Sequence, residues 1–576
     1  MKYLVFGLSF ILLIAGCESK KSGPLTSFSE FEDEFVDTLW KYNPVWASSI
    51  GYHAYDSVLP IPNETTTTAY LQFLNAEKKA LAGYSYEKLT PSEKCDYKLI
   101  EDFLHNGIFS IREFKANEWD PSQYNVGGAI DAVLNNSKAT LETNLRMLAG
   151  RLHNIPDYYQ AARKQIKNPS REHTDLAIAQ NEGLSYFFKS ALPDSIKKSN
   201  LSVAEKEQLQ AQIDQADEAV ASFVTFLKER RALGDKAAWR SCRIGKELYL
   251  SKFRYEIQSH YSADEVYAKA LIRKKELLNE MYGLSQSIWP NYIKTAAPSD
   301  SLQLIRETLS FLSQKHCHKD SFIATIEKQL PELTVFINSK HIIDLDSSKP
   351  LRVRKTPEYM AGVAGASINS PGPYDKEQAT YYNVTPLTGY SSEKAESYLR
   401  EYNNYILEIL NIHEAIPGHY TQQIYANRSP SLIKTILGNG AMIEGWACYV
   451  ERMLLEEGYH HSPEMQLFYC KWNLREVGNF ILDYNVQVNN WNEQQVKHLL
   501  VEECFQESAE ASEKYKRALL TQVQLTSYFT GQTEILELRE AMKKKESQRF
   551  DLKNFHEQFL SYGSAPVTAI SELMLH

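Results

Sequence analysis

The sequence is poor in cysteine, with seven among 576 residues, and it contains no Cys-x-x-Cys pair. The scattered positions exclude a paired-cysteine metal or redox motif. A chain of this length builds a hydrophobic core without covalent cross-links, so we predict mostly free, buried thiols, with one or two disulfides left open. Apart from Cys17 in the N-terminal segment, the cysteines are Cys95, Cys242, Cys317, Cys448, Cys470 and Cys504.

The sequence also lacks an excess of positive charge. Its 63 lysines and arginines are outnumbered by 72 aspartates and glutamates, which gives a net charge of −9. Binding to phosphates needs a basic surface, so this balance argues against nucleic acid as a partner. No internal repeat or low-complexity tract is evident. The length and the 43% hydrophobic content fit one large lobed domain or two ordinary ones.

The N-terminus carries a targeting segment. Lys2 precedes an apolar run, residues 3–15, that is too short to span a bilayer comfortably. The run ends in Ala15-Gly16-Cys17, which resembles a bacterial lipobox and implies cleavage before Cys17 and lipidation of Cys17. We therefore predict a signal peptide over residues 1–17, a polar tether over 18–27 and a lipid-anchored protein of the bacterial cell envelope. An ordinary signal peptide or a membrane anchor is the alternative.

Most of the chain has helical patterns. Ser202 and Glu205 form a capping-box pattern, and apolar residues then recur every three or four positions until Gly234. The same pattern at residues 262–265 predicts a helix that ends at Gly283. These patterns predict a mainly α-helical protein.

Two short strands are predicted before the principal motif. Leu351–Lys355 alternates like a strand, and Ala379–Val384 is a second candidate. A small apolar segment, Met360–Ile368, and a turn at Asn369–Pro373 lie between them. We predict a small sheet beside a cleft, where an edge strand could pair with a peptide; a plain structural hairpin is the alternative. The helix that carries this motif is then expected to begin near Ser392.

The residues that indicate chemistry follow this segment. His413-Glu414-Ala415-Ile416-Pro417-Gly418-His419 places two histidines around a glutamate, and Glu444 follows 25 residues after His419. Zinc hydrolases use neutral imidazoles and a carboxylate as ligands, and a separate glutamate as the base that takes a proton from water on the metal. The alternative is a chance arrangement in an ordinary buried helix.

The spacing of the two histidines is unusual. They are six residues apart, whereas zinc-binding histidines on one helical face are four apart. Pro417 occupies the fourth position and disrupts helical hydrogen bonding, and Gly418 permits an unusual turn. We therefore predict a local bulge or break that brings His419 back beside His413.

Residues 413–422 and 444–451 resemble the two signature blocks of the bacterial DUF885 family, which is grouped with zincin-like metallopeptidases. The resemblance continues at Asn473-Leu474-Arg475, Asp483 and Trp491, and at Arg517, Tyr528 and Gly531. The gap between His419 and Glu444 is also similar to that of helical oligopeptidases of the thimet and neurolysin type. Dipeptidyl peptidase III likewise has a lengthened histidine motif.

The sequence departs from the family pattern in three places. Asn479 stands where the family has arginine, Gln487 where it has histidine, and Gln522-Val523 where it has Pro-Gly. The His-Glu block itself is intact. The departures are expected to affect the substrate pocket and therefore the substrate specificity.

The motif and the resemblance together predict a ligand set. We expect one Zn²⁺ per chain on His413, His419 and Glu444, with Glu414 as general base and then acid. Glu451 is a rival ligand that we interpret instead as orienting a ligand histidine. Cys448 also faces this region, and a small buried thiol is its simpler interpretation.

The later blocks supply further candidate residues. Tyr528 could donate to the oxyanion of a tetrahedral intermediate, and Arg517 could bind a substrate carboxylate. Arg475 and Asp483 are candidates for substrate binding or for support of the ligands. Each of the four is more often structural than functional.

The resemblance implies a large two-lobed helical zincin-like metallopeptidase fold over residues 28–576, with a small sheet beside the active-site cleft and the zinc-binding half over about 350–576. The expected function is a zinc peptidase that acts on short peptides in the cell envelope. One alternative is a catalytically silent lipoprotein that binds peptides or metal on the same scaffold. Another is a metal-dependent amidase or esterase with non-peptide substrates.

Overall fold

The computed structural model describes residues 26–356, 365–376 and 378–576. The predicted signal peptide, the lipidation site Cys17 and the tether up to residue 25 lie outside the described residues, as does most of the apolar segment Met360–Ile368. Within the described ranges, no helix is both long and apolar enough to cross a membrane.

The prediction of a mainly helical protein is confirmed. The first part of the chain is helical up to the sheet. Its α-helices are α1 (Phe28–Tyr42), α2 (Pro44–Ser49), α3 (Glu64–Leu81), α4 (Pro91–Phe109), α5 (Ala116–Trp119), α6 (Gly127–Leu134), α7 (Leu141–Gln165), α8 (Arg171–Lys189), α9 (Ala191–Lys198), α10 (Val203–Ala232), α11 (Gly245–Ile257), α12 (Ala263–Tyr292), α13 (Ser301–Leu312) and α14 (Phe322–Lys340).

A three-stranded sheet follows α14. Its strands are β1 (Leu351–Lys355), β2 (Ala366–Asn369) and β3 (Thr380–Val384), in the order β1-β3-β2. β1 pairs in parallel with β3, in a register that sets Val353 opposite Tyr382, and β2 pairs antiparallel with β3. The two predicted strands are confirmed. The alternative of a plain hairpin is wrong, because parallel strands cannot be joined by a tight turn.

The second helical part of the chain follows β3. Its α-helices are α15 (Ser392–Glu401), α16 (Asn404–Glu414), α17 (His419–Arg428), α18 (Leu432–Ile436), α19 (Gly440–Glu456), α20 (Pro463–Val488), α21 (Glu493–Lys497), α22 (Ser508–Thr521), α23 (Ser527–Glu546), α24 (Leu552–Ser561) and α25 (Val567–Leu575).

Two predicted helix boundaries are wrong. The helix that starts after Ser262 continues past Gly283 to Tyr292, because α12 packs along α20 and this contact outweighs the weak helix propensity of one glycine. The helix that starts at Ser392 stops at Glu401, and α16 begins anew after Asn403. The Asn403 side chain accepts hydrogen bonds from two backbone N–H groups of the new first turn, which caps α16.

The hydrophobic core lies in two main clusters. The larger cluster joins α1 to α4 with α11 to α25 and contains the sheet residues Tyr382 and Val384. The smaller cluster is formed mainly by α6 to α10. All six cysteines of the described chain are free, and five of them are buried, so the prediction of free thiols is confirmed.

Helices α19 and α23 approach each other more closely than side chains allow. A Cβ at Gly531 of α23 would overlap the carbonyl oxygen of Ala441 in α19, and a Cβ at Gly445 of α19 would overlap the backbone at Gly531. This contact fixes the position of Glu444, next to Gly445, relative to the first turn of α23. The absence of a side chain at both positions is therefore required for the packing.

We predict that Gly531→Ala lowers the free energy of unfolding by about 2 kcal/mol or more, because the added methyl group forces the two helices apart. Gly283→Ala is the matched control, since a Cβ there meets no atom within 4 Å. The control should raise stability by about 0.5–1 kcal/mol, the usual gain from Gly to Ala inside a helix. Urea denaturation of both variants gives the comparison. Equal stability of Gly531→Ala and wild type would contradict the packing argument.

Candidate metal centre

The predicted break between the two histidines is confirmed. Helix α16 ends at Glu414, and α17 begins at His419. The Gly418 N–H donates to the Ile412 carbonyl oxygen at 3.0 Å, which folds the chain back onto the end of α16. A Cβ at Gly418 would overlap the carbonyl oxygen of His413, so only glycine fits this turn.

The break brings the two imidazoles together. The ring centroids of His413 and His419 are 4.8 Å apart, and the ring planes are nearly perpendicular. Glu444, from α19, places its Oε2 3.7 Å from His413 Nε2 and 3.5 Å from His419 Nε2. The side chains of His413, His419 and Glu444 are 9, 12 and 22% exposed, so the group lies at the edge of the core and not within it.

These three side chains fit a zinc ion. Tetrahedral zinc with bonds of about 2.0–2.1 Å places its ligand atoms roughly 3.3 Å apart, close to the two nitrogen–oxygen distances above. The donors are two imidazole nitrogens and one carboxylate oxygen, which is a ligand set found in catalytic zinc sites with one position open. The three ligand atoms lie within 4.8 Å of one another.

A further carboxylate forms a hydrogen bond with the other ring nitrogen of His413, Nδ1. Glu451 Oε1 lies 2.6 Å from His413 Nδ1 and also accepts a hydrogen bond from Trp472 Nε1 at 3.0 Å. Glu451 is fully buried. A hydrogen bond at Nδ1 directs the other ring nitrogen, Nε2, toward the ligand position. The structure therefore places Glu451 where an orienting residue would be, beside the ligand set.

The histidines and carboxylates of this group stabilise each other's charged forms. Burial raises the pKa of Glu444, but its hydrogen bonds with His413 and His419 outweigh this and hold the pKa well below its usual range. Burial lowers the pKa of His413, but hydrogen bonds with Glu444 and Glu451 outweigh this and raise the pKa well above its usual value. A cation is thus favoured between these carboxylates, whether it is a proton or a metal ion.

Glu414 lies beside this group and outside the ligand set. Burial raises the pKa of Glu414, and the nearby His419 and His413 oppose that rise. A raised pKa suits a carboxylate that must both take and return a proton. The sheet lies next to it, because Tyr382 of β3 donates a hydrogen bond at 3.0 Å to Asn411 of α16.

Comparison with known proteins places the chain in a family. Residues 44–574 match the family described as a bacterial protein of unknown function, DUF885. The chain belongs to this family. A search among curated proteins finds no match.

Two solved structures are similar over nearly the whole chain. One is a "putative lipoprotein of unknown function" from Shewanella oneidensis, 47% identical with a TM-score of 0.89, covering 96% of this chain and 100% of that one. The other is a "putative lipoprotein" from Colwellia psychrerythraea, 17% identical with a TM-score of 0.78, covering 95% of this chain and 98% of that one. At 17% identity the second likeness shows the fold alone.

Tyr528 and Arg517 from the later DUF885 blocks lie together. Arg517 Nη2 donates to Gln524 Oε1 at 2.7 Å and to the Tyr528 hydroxyl at 3.4 Å. Burial raises the pKa of Tyr528, and the charge of Glu444 raises it further, so the phenol keeps its proton. The close packing of α19 and α23 sets Tyr528 beside the ligand set.

Arg475 and Asp483 lie farther from the ligands. Arg475 stacks over the ring of Trp472, with 4.9 Å between the guanidinium carbon and the ring centroid, and so contacts the residue that holds Glu451. Asp483 is fully buried and accepts hydrogen bonds from the Tyr249 hydroxyl at 2.8 Å and the Val523 N–H at 2.9 Å. The structure gives Asp483 a role in joining helices, and it does not bring Asp483 to the ligand set.

The departures from the DUF885 pattern occupy buried structural positions. Gln487 accepts from the Ile244 N–H at 3.0 Å and donates to the Ala518 carbonyl oxygen at 2.6 Å. Val523 adopts a φ of +69°, a conformation that favours the glycine expected there from the resemblance, and its N–H donates to Asp483. Asn479 is buried on α20.

Sequence reasoning missed Trp472. It immediately precedes the block Asn473-Leu474-Arg475, but no pattern of spacing shows that its indole N–H reaches Glu451 on another helix.

Two other groups of potential ligands occur in the described chain: His413 with Cys448, Glu451 and Glu476, and Glu332 with Glu408 and His460. Burial raises the pKa of the Cys448 thiol well above its usual value, which disfavours the thiolate that a metal needs.

Proposed function

We propose that the protein is a zinc-dependent peptidase of the bacterial cell envelope, with the two-lobed zincin-like architecture that the sequence predicts. The observation that carries this proposal is the convergence of His413, His419 and Glu444 at ligand distances, with Glu414 beside them as a separate, partly buried acid. A protein that only binds metal would need the three ligands, but it would not need Glu414 as a base.

The residues have distinct roles in this proposal. His413, His419 and Glu444 hold one zinc ion, and Glu451 fixes the orientation of His413. When bound, zinc supplies a Lewis acid that polarises the peptide carbonyl and makes water more acidic. Glu414 takes a proton from water as it attacks the carbonyl and returns a proton to the leaving nitrogen.

Tyr528 completes the site. Its phenol keeps its proton because of burial and the nearby Glu444 charge, so the hydroxyl can donate a hydrogen bond to the oxyanion that forms on the attacked carbonyl. Arg517 contacts the same hydroxyl and is exposed, so it could contact a polar group of the substrate.

The location of the enzyme follows from its N-terminus. Lys2, the short apolar run and Ala15-Gly16-Cys17 favour a lipid anchor on Cys17. The 47% identical relative from Shewanella oneidensis is called a "putative lipoprotein", which supports this anchor.

We predict about one zinc per chain, measured by elemental analysis after dialysis against zinc-free buffer. His419→Ala removes one of three ligands and should release most of the metal. His498→Ala, at an exposed histidine outside the group, is the matched control and should keep full occupancy. Full occupancy in His419→Ala would mean that this histidine is not a ligand.

We predict that Glu414→Gln keeps zinc and fold but lowers the rate of peptide hydrolysis by ~10² or more, the scale of positioned acid–base catalysis. Hydrolysis is measured by mass spectrometry of a mixed peptide library, with and without a chelator. Glu513→Gln, at an exposed glutamate, is the control and should act like wild type. If wild type cleaves no peptide, the silent binding lipoprotein becomes the better account; cleavage of non-peptide amides alone would point to an amidase.

We predict that Cys17→Ser abolishes labelling with radioactive palmitate and shifts the protein from the membrane to the soluble fraction. Ser19→Ala, in the adjacent tether, should change neither property. Labelling that persists in Cys17→Ser would place the lipid elsewhere or exclude it.

A further inference from the structure

A cluster of charged side chains lies between α15, α20 and α22, outside the ligand set. Lys471 and Arg475 come from α20, Lys514 from α22, and the two acids are Glu401 and Glu510. Lys471 Nζ donates to Glu401 Oε2 at 2.7 Å, and Arg475 Nη2 lies 2.6 Å from Glu510 Oε1. Three cations face two carboxylates, so one positive charge is in excess.

Lys514 is the cation without a close partner. It is 6% exposed, and its Nζ makes no hydrogen bond within the described part of the chain. The carboxylate of Glu510 lies 3.9 Å away and is already paired with Arg475. Arg475 Nη1 makes no hydrogen bond among the described residues, but it lies 3.7 Å from Glu401 Oε1 and forms an ion pair with it. A buried ammonium group without acceptors is costly, and burial lowers the pKa of Lys514 to about 7.

The cluster is partly exposed to solvent, and side-chain contacts connect it to residues beside the candidate metal centre. The side chains of Arg475 and Glu510 are 20 and 22% exposed, so solvent reaches this part of the cluster. Arg475 stacks on Trp472, whose indole N–H holds the Glu451 carboxylate. Lys514 precedes Arg517 by three residues on α22, and Arg517 contacts Tyr528 beside the ligand set.

We propose that Lys514 and Arg475 form a binding site for a carboxylate group, and that its occupant is the C-terminal carboxylate of the peptide substrate. Two carboxylate oxygens can accept hydrogen bonds from Lys514 Nζ and Arg475 Nη1, which have only distant ion-pair partners and make no hydrogen bond among the described residues. One negative charge also balances the single excess positive charge, whereas a doubly charged phosphate would exceed it and repel Glu510. The identity of the occupant rests on the proposed peptidase function, but the carboxylate site itself does not.

The test uses binding without turnover, in the full-length, zinc-loaded Glu414→Gln protein. Isothermal titration calorimetry compares trialanine with trialanine amide, which differ only in the C-terminal charge. The site predicts that the free acid binds at least tenfold more tightly than the amide. Lys514→Met, added to this background, keeps an unbranched side chain of similar length but removes the ammonium group, so it should abolish the difference without unfolding the protein.

Lys516→Met is the matched control, two residues along the same helix. Lys516 is exposed and pairs with Glu513 at the surface, so its loss should leave the preference for the free acid intact. Equal binding of acid and amide by the parent protein would overturn the assignment of the occupant. A preference that survives Lys514→Met would place the carboxylate elsewhere.

Acetate separates the site from its occupant. If millimolar acetate raises the melting temperature of the parent protein at constant ionic strength but not that of Lys514→Met, the carboxylate site stands even where trialanine and its amide bind alike. If neither acetate nor trialanine distinguishes the two proteins, water alone occupies the site and the proposal fails. If wild type hydrolyses no peptide and yet binds trialanine in a Lys514-dependent way, the peptidase proposal fails and the carboxylate site remains.

Discussion

The candidate site depends on one close backbone contact, in which Gly418 packs against the carbonyl oxygen of His413. Six residues of continuous helix would carry the second histidine well round from the first. The break ends α16 and begins a new helix with His419, whose ring centroid lies 4.8 Å from that of His413. Helix α19 then secures the break, because the Trp446 indole N–H donates to the Pro417 carbonyl oxygen at 2.9 Å. The same helix supplies Glu444, so a single helix holds both the break and the third candidate ligand.

Around this contact the protein buries carboxylates that a purely structural core would avoid. Glu451 and Glu476 are both buried, and one oxygen of each lacks a hydrogen-bond partner among the described residues. Burial raises the pKa of Glu476 well above its usual value, and the charge of Glu451 raises it further. Such groups cost stability unless a cation or donor satisfies them, and here His413 and Trp472 satisfy Glu451. Such a local cost is common at functional sites and supports the proposed function.

The sequence predicted those features that depend on neighbours in the chain. Pro417 and Gly418 predicted the break because each acts on its own backbone, and the capping boxes at Ser202 and Ser262 predicted two helix starts for the same reason. Features that depend on distant packing were missed. No local pattern shows that α12 continues past Gly283, that β2 pairs with β3, or that Trp472 reaches Glu451. Asp483, singled out by resemblance, joins helices and does not approach the ligands.

Helix α20 connects the candidate metal ligands with the charged cluster, because it carries residues that contact both. Trp472 faces Glu451, and Arg475, three residues later, stacks on Trp472 while it pairs with Glu510 of α22. Residues three apart in a helix lie side by side, so this spacing is fixed by the backbone and not by flexible loops. Because α22 also carries Arg517 to the Tyr528 hydroxyl, the cluster and the ligand set are joined through two rigid helices. Under the proposed function, a substrate that reaches both places would therefore be selected by its length.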